Sequence, residues 1–222
     1  WICYVTGKRE TQFATDVPHD AMLLDEKSET SAGGVNTGWI EAQDYTYERN
    51  LHISEKWNGK KLLLEFEGIY RKATVYVNRK KAAYHEYGYT GFYVDITESV
   101  NYGADNEIKV TVVNSDQPNS RWYSGTGIYR PVWLYIFPTE HILRDEIRVK
   151  TLDYQKKKIA VDVKTTGVGM LCTEIFDGEK LIVSKTIQSE DTVENAICDV
   201  KEKTVEYHTE MVLEQTELWS PK

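Results

Sequence analysis

The most constraining feature of the sequence is an alternation of apolar and other residues, with a period of two, that recurs along most of the chain. Leu62, Leu64 and Phe66 form one such set, and residues 108–112 and 132–136 repeat the pattern. Successive side chains of a β-strand point to opposite faces, so each set predicts a strand with one face on a core. No long helical period accompanies these sets. The pattern therefore predicts an all-β chain built from antiparallel sandwiches.

A change in composition divides the chain into two predicted domains. Trp and Tyr become sparse from His141 onward, while Lys, Glu, Asp and Thr become more frequent. We predict a jelly-roll β-sandwich over residues 1–139 and an immunoglobulin-like β-sandwich over residues 140–222. Asn58-Gly59 and Asp177-Gly178 are typical of tight hairpin turns, one in each domain.

The charge and the apolar runs argue against two classes of partner. The formal net charge is -8 at pH 7, and a nucleic-acid partner would require a basic surface instead. The longest apolar stretch, residues 132–137, is far too short to span a bilayer, so no membrane partner is predicted.

The cysteines and histidines lack the spacing of a metal site or of a disulfide framework. Cys3, Cys172 and Cys198 are far apart in the sequence and predict free, partly buried thiols, which favour a reducing, cytoplasmic compartment. No two histidines stand four residues apart or next to a pair of cysteines. No metal site and no cofactor are therefore predicted.

One segment, residues 121–130, combines residue types that suit a binding loop. Its two glycines can adopt positive φ in a tight turn, and Arg121, Trp122 and Tyr123 precede them. Such groups suit a carbohydrate, because aromatic rings stack on sugar faces and Arg bonds hydroxyl or carboxylate groups. The alternative is a structural role, with the Arg held in an ion pair and the aromatic rings closing one end of a sandwich. Composition alone favours this structural interpretation.

Four segments together resemble glycoside hydrolase family 2, which includes β-galactosidases, β-glucuronidases and β-mannosidases. They are Val-Pro-His-Asp at 17–20, His-Glu-Tyr-Gly-Tyr-Thr-Gly-Phe at 85–92, the hallmark segment at 121–134 and Leu-Trp-Ser-Pro at 218–221. They follow the order of the family and cover essentially the whole chain. The resemblance implies a galactose-binding-like, sugar-binding jelly roll and an immunoglobulin-like domain. In the family, a catalytic (β/α)8 barrel follows these two domains.

The resemblance implies that the parent protein is a retaining glycosidase, most like a β-galactosidase. Both catalytic glutamates of this family lie on barrel strands, so no catalytic residue is expected in this chain and the chain alone is expected to be inactive. Its implied role is to scaffold the barrel and to supply a loop, with Arg121, Trp122 and Tyr123, to the sugar site. The implied partners are a carbohydrate substrate and the parent's catalytic barrel, and a homo-oligomer is left open.

The resemblance also implies that the second sandwich is truncated at its C-terminal end. Family members continue beyond Leu-Trp-x-Pro, whereas this sequence ends at Lys222. Two alternatives of another class stay open: a stand-alone carbohydrate-binding module and a pure interaction module. A barrel encoded after Lys222 would favour the enzyme, and a stop codon there would favour a module.

Other polar and aromatic residues are assigned structural roles. Tyr45 and Tyr47 could stack on a sugar, but we predict that they cover the flank of the sandwich. Asn106 and Glu107 are predicted to lie in a solvated turn that opens a strand. Asp95 is predicted to cap the turn that follows its strand.

Overall fold

The structure is a computed structural model of the 222-residue chain, and it describes residues 1–188, 192–193, 204–214 and 216–217. These residues form fifteen β-strands and four short 3-10 helices, and they include no α-helix. The all-β fold class predicted from the period of two is therefore confirmed.

The chain divides into two compact units, Trp1–Ile136 and Phe137–Lys222. Strands of the first unit are β1 (Ile2–Val5), β2 (Phe13–Ala14), β3 (Tyr45–Ile53), β4 (Lys61–Phe66), β5 (Ala73–Val77), β6 (Lys80–His85), β7 (Phe92–Asp95), β8 (Ala104–Val112) and β9 (Val132–Phe137). The 3-10 helices are Arg9–Thr11, Ala21–Leu24, Gly34–Thr37 and Glu55–Trp57. A six-stranded sheet has the order β2-β1-β3-β8-β5-β6, and a three-stranded sheet has the order β7-β4-β9.

The two sheets of the first unit bury one common core between them. Its members come from the alternating positions of strands in both sheets, which include Leu62, Leu64, Phe66, Val75, Val77, Val94, Ile108, Val110 and Val112. The strands β4 and β8 therefore turn their predicted apolar faces inward. The predicted sandwich of the first domain is confirmed by this arrangement.

Asn58-Gly59 does not form the predicted hairpin turn. The strands on its two sides, β3 and β4, belong to different sheets, and the 3-10 helix Glu55–Trp57 directly precedes it. Gly59 has a φ of +79°, so the chain turns here, but it passes from one sheet to the other. The tight hairpin of this unit joins β5 and β6 through Asn78 and Arg79, which both have positive φ.

The described residues of the second unit form two further sheets. Its strands are β10 (Ile142–Asp153), β11 (Lys158–Thr165), β12 (Met170–Asp177), β13 (Lys180–Gln188), β14 (Thr192–Val193) and β15 (Thr204–Val212). The order of one sheet is β10-β11-β15-β14, and β12 pairs with β13 in the other. Asp177 is the register partner of Lys180, so the predicted hairpin turn at Asp177-Gly178 is confirmed. A second core contains Val161, Val163, Val205, Tyr207 and Met211.

Several predictions concern the end of the chain. Leu-Trp-Ser-Pro at 218–221 and Cys198 lie outside the described residues. The predicted truncation of the second sandwich and the predicted domain limits, 1–139 and 140–222, therefore stay predictions. Within the described part of the chain, no helix is long and apolar enough to cross a membrane.

The two described cysteines are expected to differ in reactivity. Both are free, but Cys3 is buried and Cys172 is exposed. Burial raises the pKa of the Cys3 thiol to about 11, and only the thiolate is nucleophilic. We expect iodoacetamide at about pH 8 to alkylate Cys172 and to spare Cys3 in the native protein. Peptide mass spectrometry measures both sites, with urea-unfolded protein as the fully labelled control. Equal native labelling of the two cysteines would contradict the buried position of Cys3.

Candidate functional site

The segment that the sequence singled out forms a loop between β8 and β9, which we name the glycine loop (residues 119–127). Gly125 and Gly127 have φ values of +72° and +124°. A Cβ at Gly127 would lie 2.2 Å from the hydroxyl of Tyr47, and one at Gly125 would lie 2.8 Å from the carboxylate of Asp20. The loop requires glycine at both positions, because its backbone approaches these polar groups too closely for a side chain.

Asn114, shortly after β8, holds the base of the glycine loop. Its side chain is fully buried, and Nδ2 donates to the carbonyl oxygen of Gly125 at 3.0 Å and to Oγ1 of Thr126 at 2.6 Å. Its Oδ1 accepts from Nδ2 of Asn119 at 2.9 Å and from Nε2 of Gln117 at 3.2 Å. One buried amide thus connects both ends of the loop, and such satisfied networks hold a backbone in a single conformation.

Asp20 fastens the loop from a distant part of the sequence. Oδ1 accepts from the backbone N–H of Thr126 at 2.9 Å and from that of Met22 at 3.1 Å. Oδ2 accepts from the hydroxyl of Tyr123 at 2.6 Å. Burial and the neighbouring Asp20 carboxylate raise the pKa of the Tyr123 phenol, so this hydroxyl stays protonated as a donor.

The structure brings the three predicted binding residues together on the exposed part of the glycine loop. Arg121 is exposed and has no ion pair or hydrogen bond within the described part of the chain. Trp122 is 59% exposed, and its Nε1 donates to the hydroxyl of Tyr89 at 2.9 Å. Tyr123 is 41% exposed. The structure therefore does not support the alternative in which Arg121 is held in an ion pair, while contact of these residues with a sugar stays a prediction.

Three other assignments made from the sequence can be compared with the structure. Tyr45 and Tyr47 belong to the buried core, so they do not stack on a sugar, and the prediction that they cover the flank of the sandwich is wrong. Tyr47 instead contacts the ring nitrogen Nδ1 of His19 through its hydroxyl, at 2.9 Å. Asp95 accepts from the backbone N–H of Thr97 at 3.0 Å, so its predicted role as a cap of the turn is confirmed.

The predicted solvated turn at Asn106 and Glu107 is wrong. Both residues lie in β8, and Asn106 is fully buried. Its Oδ1 accepts from the N–H of Asn101 at 2.7 Å, and its Nδ2 donates to the carbonyl oxygens of Asn101 and Ala104. A buried amide is tolerated here because its hydrogen-bonding groups are satisfied locally.

The polar side chains of the described residues can be compared with the pattern of a metal site. No group of three or more His, Cys, Asp or Glu side chains in these residues is arranged to hold an ion. The polar groups at the glycine loop, Asp20 and Asn114, are engaged by protein donors and acceptors instead.

The amino-acid sequence and the fold of the chain can be compared with those of known proteins. A family model described as glycosyl hydrolase 2 galactose-binding domain-like matches residues 11–132, more than half of the chain. The chain belongs to glycoside hydrolase family 2. The matched range contains the anchors Asp20 and Asn114 and all of the glycine loop, so the candidate site lies within the family's galactose-binding-like domain.

Individual members of family 2 are similar along most of the chain. It is 28% identical over 212 residues to the β-galactosidase BoGH2A of Bacteroides ovatus, which is 92% of this chain and 24% of that protein. It is 36% identical over 164 residues to a β-glucuronidase of Bacteroides fragilis, which is 63% of this chain and 23% of that protein. The chain thus spans about a quarter of the length of these relatives.

A solved structure gives the same fold. The crystal structure of a family 2 member from Bacteroides cellulosilyticus superposes with a TM-score of 0.74 at 27% identity. The match covers 94% of this chain and 28% of that chain. This likeness supports the family 2 assignment along nearly the full sequence.

Proposed function

We propose that this chain is the non-catalytic N-terminal part of a retaining family 2 glycoside hydrolase, most like a β-galactosidase. In this proposal it scaffolds a (β/α)8 barrel and supplies the glycine loop to the sugar site. The observation that carries the proposal is the exposed Arg121, unpaired within the described residues, on a loop whose base is fixed by buried polar groups.

The chemistry of the loop supports a binding role. A guanidinium group carries five N–H donors in a rigid fork, and leaving it exposed keeps these donors available for hydroxyl or carboxylate groups. The buried network of Asn114 and Asp20 fixes the loop before any ligand arrives. A preorganised loop loses less conformational freedom on binding, so more of the interaction energy contributes to affinity.

The length of the relatives supports a non-catalytic role. Retaining glycosidases act through two carboxyl groups about 5 Å apart, and barrel enzymes carry such groups at the C-terminal ends of their strands. The relatives named β-galactosidase and β-glucuronidase are about four times as long as the matched part. The proposal therefore places the reacting carboxyl groups in the barrel of the full-length protein.

In the full-length protein, Arg121→Ala is expected to lower kcat/KM about ten- to hundredfold without lowering the melting temperature. The loss of a charge-assisted hydrogen bond to substrate accounts for a change of about 1.5–3 kcal/mol. The folded state should not be affected, since Arg121 has no partner within the described residues. Nitrophenyl β-galactoside and β-glucuronide are the substrates, and differential scanning calorimetry reports the melting temperature.

Arg130→Ala is the matched control for this experiment. Arg130 is also an exposed arginine, and it lies over the ring of Tyr129 at 5.5 Å from the centroid. Its replacement should change kcat/KM much less than that of Arg121. An unchanged kcat/KM together with a lower melting temperature for Arg121→Ala would show that Arg121 is structural. Turnover of either glycoside by the purified 222-residue chain would contradict the non-catalytic assignment.

A further inference from the structure

A second exposed segment carries aromatic side chains next to the glycine loop. Tyr87 and Tyr89 lie between β6 and β7 and are 61% and 41% exposed. Their ring centroids are 5.6 Å apart in an edge-to-face arrangement, and the hydroxyl of Tyr89 accepts from Trp122. The three side chains thus form one surface, which we name the aromatic platform (Tyr87, Tyr89 and Trp122).

The platform rests on a buried tyrosine. Tyr70 packs edge-on against Tyr89 with a centroid distance of 5.3 Å, and its hydroxyl donates to Oδ1 of Asn119, the first residue of the glycine loop. A Cβ at Gly88 would lie 2.3 Å from the ring of Tyr70. The hydroxyl of Tyr129 donates to the carbonyl oxygen of Gly88 at 2.7 Å. The platform and the glycine loop therefore share one support, which contacts the ring of Tyr89 and the backbone of Gly88 without a ligand.

The composition of this surface suits a sugar ring. Residues 85–92 and 119–124 contain no Leu, Ile, Val or Met, so their apolar surface is mostly aromatic. Tyr and Trp combine an apolar ring with a polar tip, which matches the apolar face and the hydroxyl rim of a saccharide. Rigid aromatic side chains also lose little conformational entropy on binding. Tyr87, Tyr89 and Trp122 carry no charge, so the side chains of this surface suit a neutral sugar ring.

We propose that the aromatic platform binds a neutral sugar unit of a β-linked oligosaccharide, adjacent to the unit that Arg121 contacts. This inference rests on the proposed function of the glycine loop and extends it, because it assigns a second sugar subsite to Tyr87 and Tyr89. The substrate class of the parent is then a β-linked oligosaccharide rather than a simple disaccharide.

The 222-residue chain itself provides the first test. We expect β-1,4-galactotetraose, cellotetraose or xylotetraose to shift the indole N–H resonance of Trp122 in ¹⁵N NMR titrations. Tyr87→Ala should weaken this binding about five- to tenfold, the range for loss of one aromatic contact. Tyr84→Ala is the matched control, since Tyr84 is an exposed tyrosine on β6 outside the platform. Absence of any shift with all three saccharides, or equal effects of the two variants, would overturn the proposal.

Kinetics on the full-length protein separate this inference from the proposed function. Tyr87→Ala should raise KM for the tetrasaccharide that binds in the NMR titration. The ratio of kcat/KM for this tetrasaccharide to kcat/KM for a nitrophenyl glycoside should therefore fall about five- to tenfold. Arg121→Ala should lower kcat/KM for the tetrasaccharide and for the nitrophenyl glycoside. A contrary outcome is that Arg121→Ala lowers kcat/KM for both substrates while Tyr87→Ala leaves the ratio of the two kcat/KM values unchanged. In that case the platform proposal fails and the proposed function stands. If Tyr87→Ala lowers the melting temperature of the full-length protein without changing the ratio, the platform packs against protein instead of a sugar.

Discussion

Gly127→Ala is expected to lower the free energy of unfolding of the first unit by about 4 kcal/mol. Two effects add. The φ of +124° is one that residues with a Cβ rarely adopt, which costs about 1–3 kcal/mol. The new methyl group would also lie 2.2 Å from the hydroxyl of Tyr47, which is fully buried. Forcing apart a packed core costs about 1–3 kcal/mol more.

Gly59→Ala is the control for the backbone effect alone. Gly59 has a φ of +79°, and a Cβ there would meet no heavy atom of the described residues within 4 Å. Its replacement should cost only about 1–2 kcal/mol. Urea unfolding followed by tryptophan fluorescence measures both variants, because five of the six tryptophans lie in the first unit. Equal losses would show that Tyr47 moves aside and that the close approach at Gly127 carries no cost.

Asn114→Ala is expected to lower the free energy of unfolding by about 3 kcal/mol, and to loosen the glycine loop. The variant leaves the carbonyl of Gly125 and the hydroxyl of Thr126 without their donor in a buried position. Burying such groups unpaired costs about 1–3 kcal/mol each, partly relieved if water enters. Urea unfolding gives the stability, and acrylamide quenching of tryptophan fluorescence should increase as the loop around Trp122 becomes mobile.

Asn119→Ala provides the comparison for Asn114→Ala. The amide of Asn119 is less buried and donates to Oδ1 of Asn114 as one of two donors. Its removal breaks this hydrogen bond and the one that its Oδ1 accepts from the hydroxyl of Tyr70, so it should cost about 2 kcal/mol, about 1 kcal/mol for each ordinary hydrogen bond. If Asn114→Ala is no more destabilising than Asn119→Ala, the buried amide is not what fixes the loop.

The sequence predicted strands well but not which strands pair. The alternation at Leu62, Leu64 and Phe66 requires only that one face of β4 be buried, and the structure confirms it. The same alternation carries no information about the neighbouring strand. The Asn58-Gly59 pair therefore resembled a hairpin turn, although β3 and β4 lie in different sheets. Pairing depends on contacts between distant segments, which a local pattern does not contain.

The site was predictable to the extent that its chemistry is local. The glycines of the loop and the exposed Arg121 stand together in the sequence, and a tight turn requires such residues. Asp20 lies 106 residues before Thr126, to which it bonds, so no spacing rule could link them. Asn114 appears in the sequence only as one polar residue after an apolar strand. Its importance comes from complete burial, which is a property of the folded chain.

The residues that anchor the glycine loop are largely different from those that it exposes. The conformation of the loop depends on Asp20, Asn114 and the two glycines. The side chains exposed to solvent are those of Arg121 and Trp122. Mutations at the exposed tip can therefore accumulate at little cost to folding. Under the proposed function, such a division makes the loop evolvable: a lineage can alter which glycan it contacts while inheriting the same scaffold. The tip is, for the same reason, the place where directed evolution of sugar preference should begin.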